Sequence, residues 1–247
     1  MPARAVLFDL GNTLVGYYTA GEFPAVLRRC LRQCATTLGG RLGEAEEDAL
    51  LRRALELNVE RSDLAVRPLG DRLLELFAHD AALDDGAVRH ACEAFLDPIF
   101  ALAKVNPEAI PVLESLRARG IKTAIVSNTP WGSAPDLWRK ELARHRLLEC
   151  VDAAVFCGDV GWRKPHCAPF HRALELLGVA ADDAIFVGDH PRWDVEGARQ
   201  AGLRPVLLRS LPTETVEGLA SIGSLREIVG VVDAMAACVE ERDSKRT

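Results

Sequence analysis

Residues 5–16, AVLFDLGNTLVG, decide how the rest of the chain is read. Four apolar residues, Ala5 to Phe8, run without alternation into Asp9, and Gly11, Asn12 and Thr13 follow, all small or turn-prone. An unbroken apolar run of this length is the pattern of a strand buried on both faces. A carboxylate at the end of such a strand loses its hydration unless something is paired with it. Asp9 is therefore a candidate functional group, and the turn after it a candidate ligand loop.

The remaining pattern falls into two kinds. Residues 22–40 (EFPAVLRRCLRQCATTLGG), 44–62, 71–83 and 86–103 carry apolar side chains at helical spacing, with no convincing strand between about 20 and 100. From 110 onward the pattern alternates. A helix (110–120) precedes a strand (121–128, IKTAIVSN), then a helix (133–148) and a short strand within 152–161. A helix (168–179), a strand (183–189, DAIFVGD), a helix (194–202) and a strand (204–209) complete the series. Strand alternating with helix implies parallel pairing, so the fold class is α/β with a doubly wound parallel sheet. The first strand must join that sheet across an all-helical insertion of about four helices. The tail EERDSKRT is charged and is expected to fray.

Composition limits the function classes. The chain has 247 residues, 49% hydrophobic, with a formal net charge of −6 and a pI near 5.6. An acidic balance opposes general nucleic-acid binding, which rewards a basic face. It still allows an anionic substrate, since a few local cations hold one phosphate. Seven cysteines, odd in number and widely scattered, do not form a disulfide framework. Cys30 and Cys34 lie one helical turn apart without a second ligand pair at finger spacing, so they read as buried small apolar residues. Cys167, between His166 and His171, likewise lacks a complete ligand set. No apolar run approaches the roughly 20 residues of a spanning helix, and AVLF is too short for a signal-peptide core. The expectation is a soluble cytoplasmic protein without a membrane partner.

In open parallel sheets, ligands bind beyond the carboxyl ends of the strands. Those ends carry Asp9, then Ser127 and Asn128, then Lys164 in the following loop, then Gly188 and Asp189 with Asp194 further on. Each has a plainer role open to it. Ser127–Asn128 and Gly188–Asp189 make ordinary turns, Lys164 could be a solvated loop lysine, and Asp194 could cap the helix it precedes. The order and spacing of the four together carry the weight.

FDLGNTL, IVSNT, GWRKPHCAPF and FVGDHPRWDVEGARQAGL resemble, in order, the four motifs of the haloacid dehalogenase superfamily, most of whose members are magnesium-dependent phosphohydrolases. The resemblance covers nearly the whole chain. It implies an α/β core at 1–15 and 97–247 and a helical cap at 16–96. It also implies a small phosphorylated metabolite as substrate, with Asp9 as the nucleophile that forms an aspartyl-phosphate. Mg2+ would be held by Asp9, Asp189 and the main-chain carbonyl of Gly11, with Asp194 supporting that shell. Lys164 would neutralise the transferring group while Ser127 and Asn128 hydrogen-bond its oxygens.

Gly11 departs from the pattern. Family phosphatases carry a second aspartate two residues after the nucleophile, which protonates the leaving oxygen and later activates water. Its loss removes acid–base help worth ~10²–10⁴ in rate. Dehalogenases of the superfamily also lack that acid, since halide leaves without a proton, so dehalogenation is a rival reading. They lack a metal site as well, whereas GDHPRWD keeps both carboxylates here. A catalytically weak protein that binds a phosphorylated ligand is the third reading. His190 is a conceivable substitute acid. Trp131, Trp162 and Trp193 fall in the motif loops and are expected to pack loop against loop or cap, an aromatic wall for a sugar or base being the alternative. Oligomeric state is not legible.

Overall fold

The computed structural model describes residues 3–57, 63–77, 84–209 and 219–244. Its strands are β1 (Ala5–Phe8), β2 (Val15–Gly16), β3 (Lys104–Val105), β4 (Lys122–Ser127), β5 (Ala153–Phe156), β6 (Ala184–Gly188), β7 (Arg204–Leu208) and β8 (Ala220–Ile222). Six of them form one all-parallel sheet in the order β5-β4-β1-β6-β7-β8. β1 is central, with Leu7 opposite Ala124 on one side and Phe186 on the other. All four of its residues are buried, as the unbroken apolar run predicts.

Alternate β1 residues enter different cores, because successive strand side chains point to opposite faces. Val6 and Phe8 join one apolar cluster and Ala5 and Leu7 the other. The second is closed by α-helical side chains such as Phe170, whose ring meets Phe186 edge-on at 4.9 Å. The chain is thus a doubly wound α/β protein.

The helices are α1 (Phe23–Thr37), α2 (Glu44–Leu57), α3 (Leu69–Phe77), α4 (Asp85–Phe100), α5 (Ala109–Ala118), α6 (Pro135–Arg144), α7 (Cys157–Val160), α8 (Ala168–Leu177), α9 (Gly197–Gln200) and α10 (Glu227–Ser244). α1 to α4 occupy the stretch expected to be helical. Among the described residues no strand falls between 22 and 96, apart from the single bridge of Ala65 with Trp162. The ends of the second and third expected helices, 58–62 and 78–83, lie outside the described residues. Cys30 and Cys34 are buried on α1, and Cys34 Sγ donates to the Ala91 carbonyl at 3.2 Å. Burial pushes the Cys30 thiol up to about 12, so it is a small apolar residue and not a thiolate ligand.

Four elements were not legible in the pattern. β2 and β3 form a two-residue antiparallel ribbon that ties the chain leaving Asp9 to the chain returning from α4. β8 adds a sixth parallel strand, and α10 packs near α5. The tail expected to fray is instead helical through Ser244, where α10 carries the chain past Glu240 and Glu241; residues 245–247 lie outside the described residues.

Candidate active site

The sheet register sets out the site. Asp9 follows Phe8 directly, and its N–H donates to the Val187 carbonyl at 2.8 Å, which continues the ladder by one residue. Ser127 ends β4 and Gly188 ends β6, the two neighbours of β1, so Asp9, Ser127, Asn128 and Asp189 reach one edge of the sheet. That edge opens into a cavity of about 550 Å³. Its wall includes Asp9, Gly11, Ser127, Asn128, Lys164, Asp189 and Asp194, every site residue inferred from the sequence.

Lys164 is the hub. It is 2% exposed, and its ammonium donates to Asp9 Oδ1 at 2.6 Å, to Asp194 Oδ1 at 2.6 Å and to the Val126 carbonyl at 2.9 Å. All three of its protons are thereby used. The Asn128 side chain fixes the backbone of this lysine, accepting from Lys164 N at 2.8 Å and donating to Lys164 O at 3.1 Å. Asn128 therefore positions Lys164, and its second side-chain N–H bonds no described residue. The Ser127 hydroxyl donates to the Asn128 carbonyl at 3.1 Å.

Asp194 is fully engaged as well. Its second oxygen accepts from His190 N at 2.9 Å, and it packs against Gly188. A Cβ at Gly188 would stand 2.4 Å from the Asp194 carboxylate carbon, so only glycine ends β6 in this way. Asp194 begins no ordinary helix. It sits inside a π-helical turn, Pro191–Glu196, that leads into α9. His190 caps that turn, its Nδ1 accepting from the N–H groups of Arg192 and Trp193 at 3.2 Å each. The Nδ1 lone pair is therefore occupied, which argues against His190 as a replacement base through that nitrogen.

Asp9, Asp189 and Asp194 place carboxylate oxygens within 4.8 Å of one another. One lysine faces three acids. Burial, against the pull of Lys164 and with Asp194 and Asp189 adding to it, pushes Asp9 up to about 7. Burial and Asp194 push Asp189 up to about 6, against Lys164 and an Asn12 side-chain hydrogen bond. Lys164 is shifted upward: burial opposes its charge, but Asp194 and Asp9 outweigh that cost. An excess of buried negative charge built from hard oxygen donors fits a hard divalent cation. Asp9 Oδ2 has no hydrogen-bond donor among the described residues.

The chain adds residues at this cavity that sequence reasoning passed over: Tyr17, Tyr18, Phe23, Trp138 and Arg163. Tyr17 and Tyr18 are the only tyrosines in the chain and follow the first motif directly, a signal that was available. Trp138 gave none, since on α6 it reads as part of an apolar stripe; its Nε1 donates to Ser133 Oγ at 2.8 Å. Of the loop tryptophans, Trp131 is buried and packs on Phe95 of α4 at 5.3 Å, and it also lines the cavity. Trp193 stacks on His190 at 4.0 Å, and Trp162 on His166 at 4.6 Å. The loop bearing Lys164 is held from above: Arg163 N donates to Leu64 O, and Val66 N to Gly161 O, both at 2.9 Å.

A family model for haloacid dehalogenase-like hydrolases matches residues 3–202. The chain belongs to that family. It is 34% identical over 227 residues to a phosphoglycolate phosphatase of Rhodospirillum rubrum, covering 90% of this chain and 85% of that one. It is 31% identical over 195 residues to a phosphoserine phosphatase of Thermus thermophilus, covering 76% and 74%. The solved structure of a HAD phosphatase from Thermococcus onnurineus superposes with a TM-score of 0.65 at 26% identity, over 93% of this chain and 97% of that one. This haloacid dehalogenase-like hydrolase is accordingly an enzyme. No described helix is long and apolar enough to cross a membrane.

Proposed function

We propose that this hydrolase is a Mg2+-dependent phosphatase of small phosphorylated metabolites that works through an aspartyl-phosphate on Asp9. The observation that carries the reading is the state of Asp9. Lys164 holds one carboxylate oxygen at 2.6 Å while the other faces no protein donor, in a cavity shared with Asp189. Asp9 Oδ2 forms a bond to phosphorus as the ester P–O bond breaks, and the leaving oxygen takes its proton from water because residue 11 brings none. A water then attacks phosphorus and gives up a proton, the bond to Asp9 breaks, and inorganic phosphate leaves.

Asp9, Asp189 and the Gly11 carbonyl would hold the metal, with Asp194 fixing its surroundings through Lys164 and the His190 N–H. When bound, Mg2+ supplies charge neutralisation between the anionic nucleophile and the anionic phosphoryl group. Lys164 lends its charge to the same end. Ser127, on turning its hydroxyl away from the Asn128 carbonyl, and the second Asn128 N–H would hydrogen-bond phosphoryl oxygens. Residues 1–15 and 97–247 serve as the core and 16–96 as the helical cap, with α4 carrying the cap on to Phe100. The phosphatase names of the relatives support a phosphate monoester as substrate.

Gly11 favours a second reading, a protein that binds a phosphorylated ligand and turns over slowly. Phosphate release from p-nitrophenyl phosphate, with Mg2+ or with chelator, decides between them. The phosphatase reading expects turnover that chelator and Asp9→Asn each abolish. Binding without turnover supports the second reading. Chelator-resistant halide release from a 2-haloacid, indifferent to Asp189→Asn, would establish dehalogenation instead.

A further inference from the structure

We propose that Arg163 binds a second anionic group on the substrate, a carboxylate or a second phosphate on the leaving-group side. The inference rests on the phosphatase reading and narrows it. Apart from Lys164, whose protons are all used within the protein, Arg163 is the only permanent cation lining the 550 Å³ cavity among the described residues. It is partly buried, in a chain with 36 acidic and 30 basic residues, yet it makes no ion pair with a described carboxylate. Its one side-chain hydrogen bond is long, from Nη1 to the Thr129 carbonyl at 3.4 Å, and its Nε is buried with no partner. A guanidinium in such a position has spare donors of the fork geometry that matches carboxylate and phosphate.

The backbone that carries this side chain is held in place. Arg163 N is bonded to Leu64 O, and the next residue is the fixed Lys164, so the main chain of Arg163 is anchored beside the reacting edge. Arg163 shares the cavity wall with Tyr18: burial pushes that hydroxyl up to about 12, Cys30 adds to the rise, and the Arg163 charge acts against it. The cavity has the volume of roughly eighteen waters at ~30 Å³ each, which leaves space for a leaving group beyond the phosphoryl. Tyr17, Tyr18 and Trp138 line much of the rest and offer no charge to compete for an anion.

Matched phosphate esters test this in wild type, Arg163→Gln and Arg163→Lys, with Mg2+ present and kcat/KM read from phosphate release. One pair is the phosphate ester of 3-hydroxypropanoate and its neutral amide. The other is propane-1,3-diol bisphosphate and its monophosphate. Wild type should prefer the charged member of one pair by ~10-fold to ~100-fold, and that pair identifies the anion as carboxylate or phosphate. Arg163→Gln should erase the preference, the loss falling chiefly in KM, and Arg163→Lys should keep part of it. If Arg163→Gln does not fold, Arg163→Lys carries the test, since loss of the fork must still reduce the ratio between the two esters.

Absence of a preference in wild type overturns the inference, as does a preference that neither variant alters. Equal losses on charged and neutral esters also overturn it, because Arg163 would then act on the transferred phosphoryl group or on the loop. Hydrolysis of p-nitrophenyl phosphate that Asp9→Asn abolishes keeps the phosphatase reading standing in each of those cases. Without that hydrolysis both readings fall together.

Discussion

The Lys164 ammonium lies 2.6 Å from Asp9 Oδ1 across 155 residues of chain, and both groups are buried at the carboxyl edge of the sheet. The same nitrogen holds Asp194 at 2.6 Å, so one charge restrains two carboxylates. Lys164→Met should therefore do more than remove a substrate contact. It leaves buried acids without a counter-charge, and breaking such a pair costs about 3–5 kcal/mol. Urea melts in chelator should show that loss. A change below about 1 kcal/mol would mean that the acids find another partner.

The same acids set a pH dependence. Asp9 is pushed up to about 7 and Asp189 to about 6, both above the carboxylate value of the unfolded chain. The fold then keeps protons that the unfolded chain has already released, so stability of the metal-free protein falls as pH rises through about 6 and 7. Mg2+ competes with those protons. The gain in Tm from adding Mg2+ should grow between pH 5 and 8, as thermal melts with Mg2+ and with chelator would show. A gain that stays constant with pH contradicts the assignment of these two acids.

Gly188 is fixed by what it touches. An added Cβ would meet the Asp194 carboxylate at 2.4 Å, and Asp194 cannot retreat without leaving Lys164 or the His190 N–H. Gly188→Ala should cost about 1–3 kcal/mol of stability. It should also lower kcat at least ~10-fold, since the ion pairs that orient Asp9 are disturbed. Retained activity in a destabilised variant would separate Asp194 from catalysis.

Around Gly11 the situation is reversed. Apart from its two chain neighbours, no atom lies within 4 Å of where its Cβ would stand, so a Cβ fits there without moving a neighbour. Gly11→Asp should raise turnover of alkyl phosphates by ~10-fold or more. p-Nitrophenyl phosphate should gain less, because its leaving group needs little protonation, and Asp9→Asn should silence both. Equal gains on the two substrates would refute the leaving-group explanation. Fast hydrolysis of a sugar phosphate by the unaltered enzyme would show that another group already delivers the proton.

Much of this was legible because its signals are local. A strand buried on both faces announces itself within four residues, as Ala5 to Phe8 do, and the amphipathic spacing of α1 within fifteen. Strand ends in a parallel sheet share one edge, so Asp9, Ser127, Asn128 and Asp189 group together on the sequence alone. Gly11 could be singled out in the same way, as a position in a motif.

Tertiary structure decided what depends on contacts between distant segments. The ribbon of β2 with β3 pairs residues 15–16 with 104–105, and two residues have no periodicity to read. The use of all three Lys164 protons, the grip of Asn128 on the Lys164 backbone, and the seat of Asp194 against Gly188 arise only when four loops converge. So does the wall of Tyr17, Tyr18, Trp138 and Arg163, drawn from three separate stretches of chain. Apolar periodicity reports which face of an element is buried. Which polar groups share that burial is set by packing, because a hydrogen bond or ion pair forms at about 3 Å and takes no account of separation along the chain.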